Sequence, residues 1–185
     1  SLAEELRRLI EEVKKRLKEL EDRNRKLIKE ARDELKENEE TNRKTIEDIE
    51  RTLEKLERDN KDKELVRRIR EEIDKVREES ERLIKRVREK VKKVEEESEE
   101  LIKEIRKEIK RLEDEVEELI KRLDKVEEAV RDLLRRIREL LRDLERLSEE
   151  SLRKLKEIVE DIHRKSKTML DKLRKMLEEL RREAT

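Results

Sequence analysis

The sequence predicts an all-α protein, a straight (untwisted) antiparallel three-helix bundle with up-down-up topology. Two observations predict this fold. Asp, Glu, Lys and Arg make up 61% of the 185 residues, and Gly, Pro, Cys, Phe, Trp and Tyr are absent, so the chain lacks the Gly and Pro that ordinary turns and loops contain. The apolar residues, mostly Leu, Ile and Val, are strictly periodic, which argues against a disordered chain of this charge density.

The first third of the chain carries an apolar stripe that advances in steps of 4, 3, 4, 4 and 3 positions, which sum to 18, and then repeats. The repeat closes after five helical turns, about 18 residues at the pitch of a straight helix, whereas a heptad pattern drifts by about 20° per seven residues. The sequence therefore predicts helices without a left-handed supercoil. The inward positions are Leu2, Leu6, Leu9, Val13, Leu17, Leu20, Asn24, Leu27, Ala31, Leu35, Asn38, Asn42, Thr45, Ile49, Leu53 and Leu56.

Two further stripes follow with the same spacing. The last third repeats the first when 124 is added to each position, which predicts that the first and third helices run in the same direction. The middle third matches the first when the numbering is reflected about position 61, which predicts an antiparallel middle helix. Flanking apolar residues that widen the stripes are Ile10, Ile28, Ile46, Leu65, Leu83, Leu101, Leu119, Leu140, Ile158 and Met176.

The interruptions of the pattern place the ends of the helices. The predicted helices span residues 1–58, 63–121 and 125–183, and turns at 59–62 and 122–124 join them into a single domain covering residues 1–185. Each predicted helix has about 58 residues, which corresponds to roughly 87 Å of α-helix. We therefore expect one rod of three helices.

Capping signals support these boundaries. In the first turn, Asn60 suits the left-handed conformation at a helix end, and Asp62 is placed to cap the second helix. Capping boxes at the other two helix starts are Ser1 with Glu4 and Asp124 with Glu127.

Polar residues interrupt the stripes in two layers that fall at the same height on all three helices. The predicted layers are Asn24 with Ser98 and Ser148, and Asn42 with Ser80 and Ser166. A buried polar group without a partner costs on the order of 1–3 kcal/mol, so we expect hydrogen-bonded layers that fix register and topology. The alternative is scattered polar residues tolerated at a loosely packed seam. Candidates to extend the second layer are Asn38, Thr41 and Thr45.

His163 is the only imidazole, and with Glu160 it reproduces the Glu-x-x-His spacing of carboxylate-bridged di-iron bundles. Such sites need that pair twice with two further inward Glu residues, so His163 is predicted to be a boundary side chain. Ser148 and Ser151 lack a nearby His and a glycine-rich oxyanion loop. The sequence therefore predicts no catalytic, cofactor-binding or metal-binding residues, and no enzyme.

The mixture of charges argues against nucleic acid as a partner, and the short apolar runs argue against a membrane. Lys plus Arg and Asp plus Glu both number 56 and are finely mixed, so no face carries a field of one sign. The longest apolar run is a pair of neighbours, against roughly 18 residues for a membrane-spanning helix. We expect a soluble monomer with no partner, and localisation is left open because no targeting signal is visible.

Matched helices, a closed five-turn repeat, a residue choice confined largely to Leu, Ile, Val, Glu, Lys and Arg, and polar layers in register resemble a de novo, parametrically designed, untwisted three-helix bundle. The resemblance covers the whole chain, although the missing Gly at the turns departs from usual design practice. It implies a structural scaffold made to test backbone design and packing, with no natural substrate and no cofactor. We expect high thermal stability.

Two alternatives remain open at this stage. One is a rod-like helical interaction or spacer module, of the spectrin or coiled-coil kind, that binds partner helices. The other is a single continuous helix or a long two-chain coiled coil, which the spacing disfavours because a two-stranded coil needs a period of 3.5 residues.

Overall fold

The computed structural model describes residues 2–59, 62–122 and 126–184. These residues form three long helices, α1 (Leu2–Asp59), α2 (Lys63–Lys121) and α3 (Val126–Ala184), and contain no strand. All three helices pack against one another, so the predicted three-helix bundle is confirmed. Each observed boundary lies within one residue of the span predicted for that helix.

The start of α2 is capped as the sequence predicts. The backbone N–H of Leu65 donates to Asp62 Oδ1 at 3.1 Å, and the N–H of Val66 donates to the Asp62 carbonyl at 3.3 Å. The side chain of Asp62 therefore satisfies an N–H group that would otherwise lack a partner in the first turn of the helix. The predicted roles of Ser1, Asn60 and Asp124 lie outside the described residues.

The packing divides into two compact units, and each unit contains a segment of all three helices. The first unit comprises Ser1–Lys29 and Lys92–Leu155, and the second comprises Glu30–Val91 and Lys156–Thr185. The single domain expected from the sequence stays a prediction.

In the first unit, a core of Leu, Ile and Val is built around Val13 of α1 and Ile137 of α3, which are both fully buried. Ion pairs at its edge give the direction of α2. Lys14 pairs with Glu113 at 2.7 Å, and Glu21 pairs with Arg106. A forward step along α1 thus corresponds to an equal backward step along α2, so these two segments are antiparallel.

The second unit has a core of the same kind, in which Ile69 of α2 and Leu173 of α3 are fully buried. Its ion pairs between α1 and α2 also run in opposite directions along the two helices. The pairs are Glu39 with Arg88, Glu50 with Arg77, and Glu57 with Arg70. The first and last of these, together with Glu21 and Arg106 in the first unit, recur at intervals of one five-turn repeat on each helix.

The buried face of α1 is rotated slightly from the predicted one. Ile10, expected on the flank, is 4% exposed, whereas its inward neighbour Leu9 is only partly buried. A helix in a three-helix core contacts two neighbours, so its buried face spans more than about 100° and includes adjacent residues. Two predicted core or flank positions are instead exposed: Leu2, in the first turn of α1, at 49%, and Leu101, beside the buried Ile102, at 41%.

Candidate functional site

A cluster of buried polar side chains in the second unit joins all three helices. Asn38 and Asn42 lie on α1, Ser80 on α2 and Ser166 on α3, and each residue is at most 8% exposed. We call these four residues the buried network. Because the surrounding core is aliphatic, their polar atoms depend on one another for hydrogen bonds.

Asn42 is the centre of the buried network. Its Nδ2 lies 3.2 Å from Ser80 Oγ, 3.1 Å from Ser166 Oγ and 3.2 Å from Asn38 Oδ1, and these three acceptors share its two hydrogens. The Ser166 hydroxyl in turn donates to Asn38 Oδ1 at 3.0 Å. The predicted layer of Asn42, Ser80 and Ser166 is therefore confirmed, and Asn38 extends it as predicted.

His163 lies at the outer end of the buried network, with its side chain 54% exposed. Asn38 Nδ2 is 3.0 Å from His163 Nδ1. An amide nitrogen only donates, so Nδ1 accepts, and a neutral ring carries its proton on Nε2. That Nε2 faces Glu34 Oε2 at 3.7 Å. The boundary position predicted for His163 agrees with the structure, but its bond to the buried network was not predicted.

The other predicted layer is buried but is not fully hydrogen-bonded. Asn24, Ser98 and Ser148, together with Ser151, are each at most 9% exposed. Within the part of the chain that the structure describes, Asn24 Nδ2 has no hydrogen-bond partner. One repeat before Asn38 the chain has Leu20, so this layer lacks the second carboxamide. Pairing of the kind predicted is therefore found for Asn42 and not for the amide nitrogen of Asn24.

The geometry offers no activated nucleophile at the buried network. Ser166 donates to an amide oxygen and not to a base, and the near nitrogen of His163 is occupied by Asn38. Glu160 is exposed, one turn from His163 on α3, and Glu34 is half exposed. Among the described residues no group of three His, Asp or Glu side chains is arranged to hold a metal ion.

Ion pairs between helices, and one cluster within α3, shift the pKa values of several surface groups. The hydrogen bond from Lys14 to Glu113 raises the pKa of Lys14, and the hydrogen bond from Lys172 to Glu72, at 2.6 Å, raises the pKa of Lys172. On α3, hydrogen bonds first from Lys165 and then from Arg164 lower the pKa of Asp161. In each case the charged form gains an opposite charge, as in structural ion pairs.

Three surface grooves have volumes in the range of small-molecule pockets. A groove of 540 Å³ lies between α2 and α3 of the second unit, with Leu83 and Met169 among its lining residues. Others are one of 520 Å³ between α1 and α2 of the first unit and one of 320 Å³ between α1 and α3 of the second. Charged side chains make up much of each lining, and none of these three grooves is lined by a residue of the buried network.

Comparison with known proteins gives no family assignment, because no protein-family model, curated protein or solved structure matches the chain. The described helices include none with the length and apolar content that crossing a membrane requires.

Proposed function

We propose that this protein is a de novo designed structural scaffold without biochemical activity, in which the buried network sets the pairing of the helices. The observation that carries the proposal is that polar side chains from all three helices form hydrogen bonds with one another in the core. Asn42 alone reaches acceptors on each of the three helices.

The restricted composition supports an engineered origin. A chain of 185 residues without Gly, Pro or any aromatic residue departs strongly from the composition of natural domains. The absence of any matching family is consistent with this origin. Specification of register by a few buried polar residues is a well-attested use of such groups in helical assemblies.

Solution mass tests the scaffold against the alternative of an interaction or spacer module. We expect a single species of 22.9 kDa across micromolar concentrations, measured by light scattering after size exclusion. A dimer would favour the interaction module. In that case the exposed Leu101 is a contact to test, and loss of the dimer in Leu101→Glu would locate the interface.

A second measurement examines the role assigned to the buried network. Replacing Asn42, Ser80 and Ser166 together by aliphatic residues should leave a helical protein with less well-defined helix pairing. Dispersion of methyl signals in NMR spectra reports that loss of definition. Unchanged dispersion in the triple variant would contradict a role for the buried network in setting helix pairing.

A further inference from the structure

The hydrogen bonds of the buried network have a direction. Asn42 Nδ2 and the Ser166 hydroxyl both donate to Asn38 Oδ1, and Asn38 Nδ2 donates to His163 Nδ1. Donated hydrogens therefore point from the core toward the ring. Oδ1 of Asn38 therefore accepts hydrogen bonds from the core residues, and its Nδ2 donates to His163.

A protonated ring does not fit this arrangement. Both nitrogens of an imidazolium carry hydrogens, so the Nδ1–H of His163 would meet the Nδ2–H of Asn38 with no acceptor between them. A rotation of the Asn38 carboxamide by about 180° removes the conflict, since its two ends are close to isosteric. Its Oδ1 then accepts from the ring, and its Nδ2 faces Asn42 and Ser166.

The same rotation at Asn42 completes the change. Its Oδ1 can then accept from Asn38 Nδ2 and from the hydroxyls of Ser80 and Ser166, because a hydroxyl both donates and accepts and its hydrogen rotates freely. The heavy atoms keep their places while donors and acceptors exchange. We propose that protonation of His163 reverses the direction of the hydrogen bonds through the buried network as far as Ser80. A change of charge at the surface then alters the donor and acceptor roles of buried side chains on all three helices of this unit.

The surroundings of His163 permit this titration. Its ring is half exposed, so it exchanges protons with water, and Glu34 of α1 faces its Nε2 at 3.7 Å. Along α3, Glu160 and Lys167 lie one turn away on either side with opposite charges. The contribution of α2 to the buried network is the uncharged Ser80. Imidazole is the side chain that changes charge between about pH 5 and 8.

The experiment is a pH titration of the protein followed by NMR of the side-chain amides and of the imidazole. We expect the nitrogen and carbonyl-carbon shifts of the Asn42 carboxamide to change with the same midpoint as His163. The matched internal control is Asn24, which is buried in the other unit and should not respond. A titrating His163 with an unchanged Asn42, or an equal response of Asn24, would overturn the proposal.

Two variants separate a hydrogen-bond relay from a through-space effect of the charge. Asn38→Leu cuts the connection, and leucine suits this stripe position because Leu20, one repeat earlier, is buried at 5% exposure. His163 should still titrate in this variant while Asn42 no longer responds, and a persisting response would refute the relay. His163→Gln, at a half-exposed position that does not threaten the fold, should abolish the response of Asn42; a remaining response would assign it to another group.

Discussion

Asn24 and Asn42 lie one repeat apart in the inward stripe of α1, and both side chains are buried, but only one of their amide nitrogens has partners among the described residues. Asn42 Nδ2 reaches the hydroxyls of Ser80 and Ser166, whereas Asn24 Nδ2 reaches no acceptor. We therefore expect substitutions at these two equivalent positions to change stability in opposite directions.

Replacing the unsatisfied amide should stabilise the protein. We expect Asn24→Leu to raise the free energy of unfolding by about 1–3 kcal/mol, because it removes a buried donor that has lost its water and adds apolar surface to the core. Denaturant unfolding followed by circular dichroism measures the change. A loss of stability would mean that the side chain of Asn24 is satisfied in solution.

The same substitution in the buried network should have the opposite sign. Asn42→Leu removes the donor shared by Ser80 and Ser166 and leaves their buried oxygens with fewer partners. We expect the free energy of unfolding to fall by about 1–3 kcal/mol. Measured beside Asn24→Leu, this variant has the same change in volume and helix propensity, so equal effects at the two positions would contradict the difference in hydrogen bonding.

Core truncation should be costly where the side chain is fully enclosed. Leu173→Ala, at a position with 0% exposure, should lower the free energy of unfolding by about 2–5 kcal/mol because it opens a cavity. Leu101→Ala is the control, since Leu101 is 41% exposed and its truncation should cost well under about 1 kcal/mol. Thermal and denaturant unfolding of both variants test the ranking, and similar losses would place Leu101 in the core.

The ion pair of Lys14 with Glu113 predicts a stability difference that depends on alkaline pH. Because the folded-state pKa of Lys14 is raised, its stabilisation is complete below the ordinary lysine value of about 10.4 and is lost as the pH rises through the folded-state value. The stability gap between the native sequence and Lys14→Gln should shrink above that pH. The gap is at most about 1 kcal/mol, since both side chains are around 40% exposed and water screens the pair.

Lys15→Gln provides the comparison for that titration. Lys15 is exposed on the same helix turn, and the structure describes no ion pair for it. Its substitution should leave a difference in stability that stays constant across the alkaline range. A pH-independent gap for Lys14→Gln as well would show that the pair with Glu113 does not form in solution.

Spacing alone was enough to predict which residues share a height. Adding 124 to Asn42 gives Ser166, and reflection about position 61 gives Ser80, and these three side chains are in hydrogen-bond contact. The number of helices, their directions and their ends follow from the same periodicity and from the cap at Asp62. These properties are set by the spacing of residues over whole helical turns, and that spacing can be read directly from the sequence.

The details that depend on fractions of a turn were not predictable, whereas the contact of His163 was missed although the sequence carried a signal for it. Leu9 and Ile10 are consecutive apolar residues, and the packing of the neighbouring helices decides which one is enclosed. The spacing places Asn24 level with Ser98 and Ser148 but does not show whether its Nδ2 reaches an acceptor. His163 was interpreted through its own helix, with Glu160, although its partner Asn38 lies on α1. The signal was available, since Asn38 shifted by 124 falls next to His163.

The ion pairs between α1 and α2 bear on whether one helix could pack against the other in a register shifted by one repeat. Because three of them recur once per five-turn repeat, sliding one helix by a whole repeat would bring Glu39 opposite Arg106 and Glu57 opposite Arg88, which are again pairs of opposite charge, whereas Glu50 would leave Arg77 and lie opposite Glu95. The recurring ion pairs are therefore degenerate with respect to such a slip and do not penalise it.

The few buried amides remove that degeneracy. In the slipped alignment Asn42 would face Ser98, a tolerable neighbour, but Ser80 would lose the amide nitrogen that bonds it in the native alignment, and a buried polar group without its partner costs about 1–3 kcal/mol. A handful of neutral polar side chains thus discriminates against the misaligned bundle where the recurring ion pairs do not.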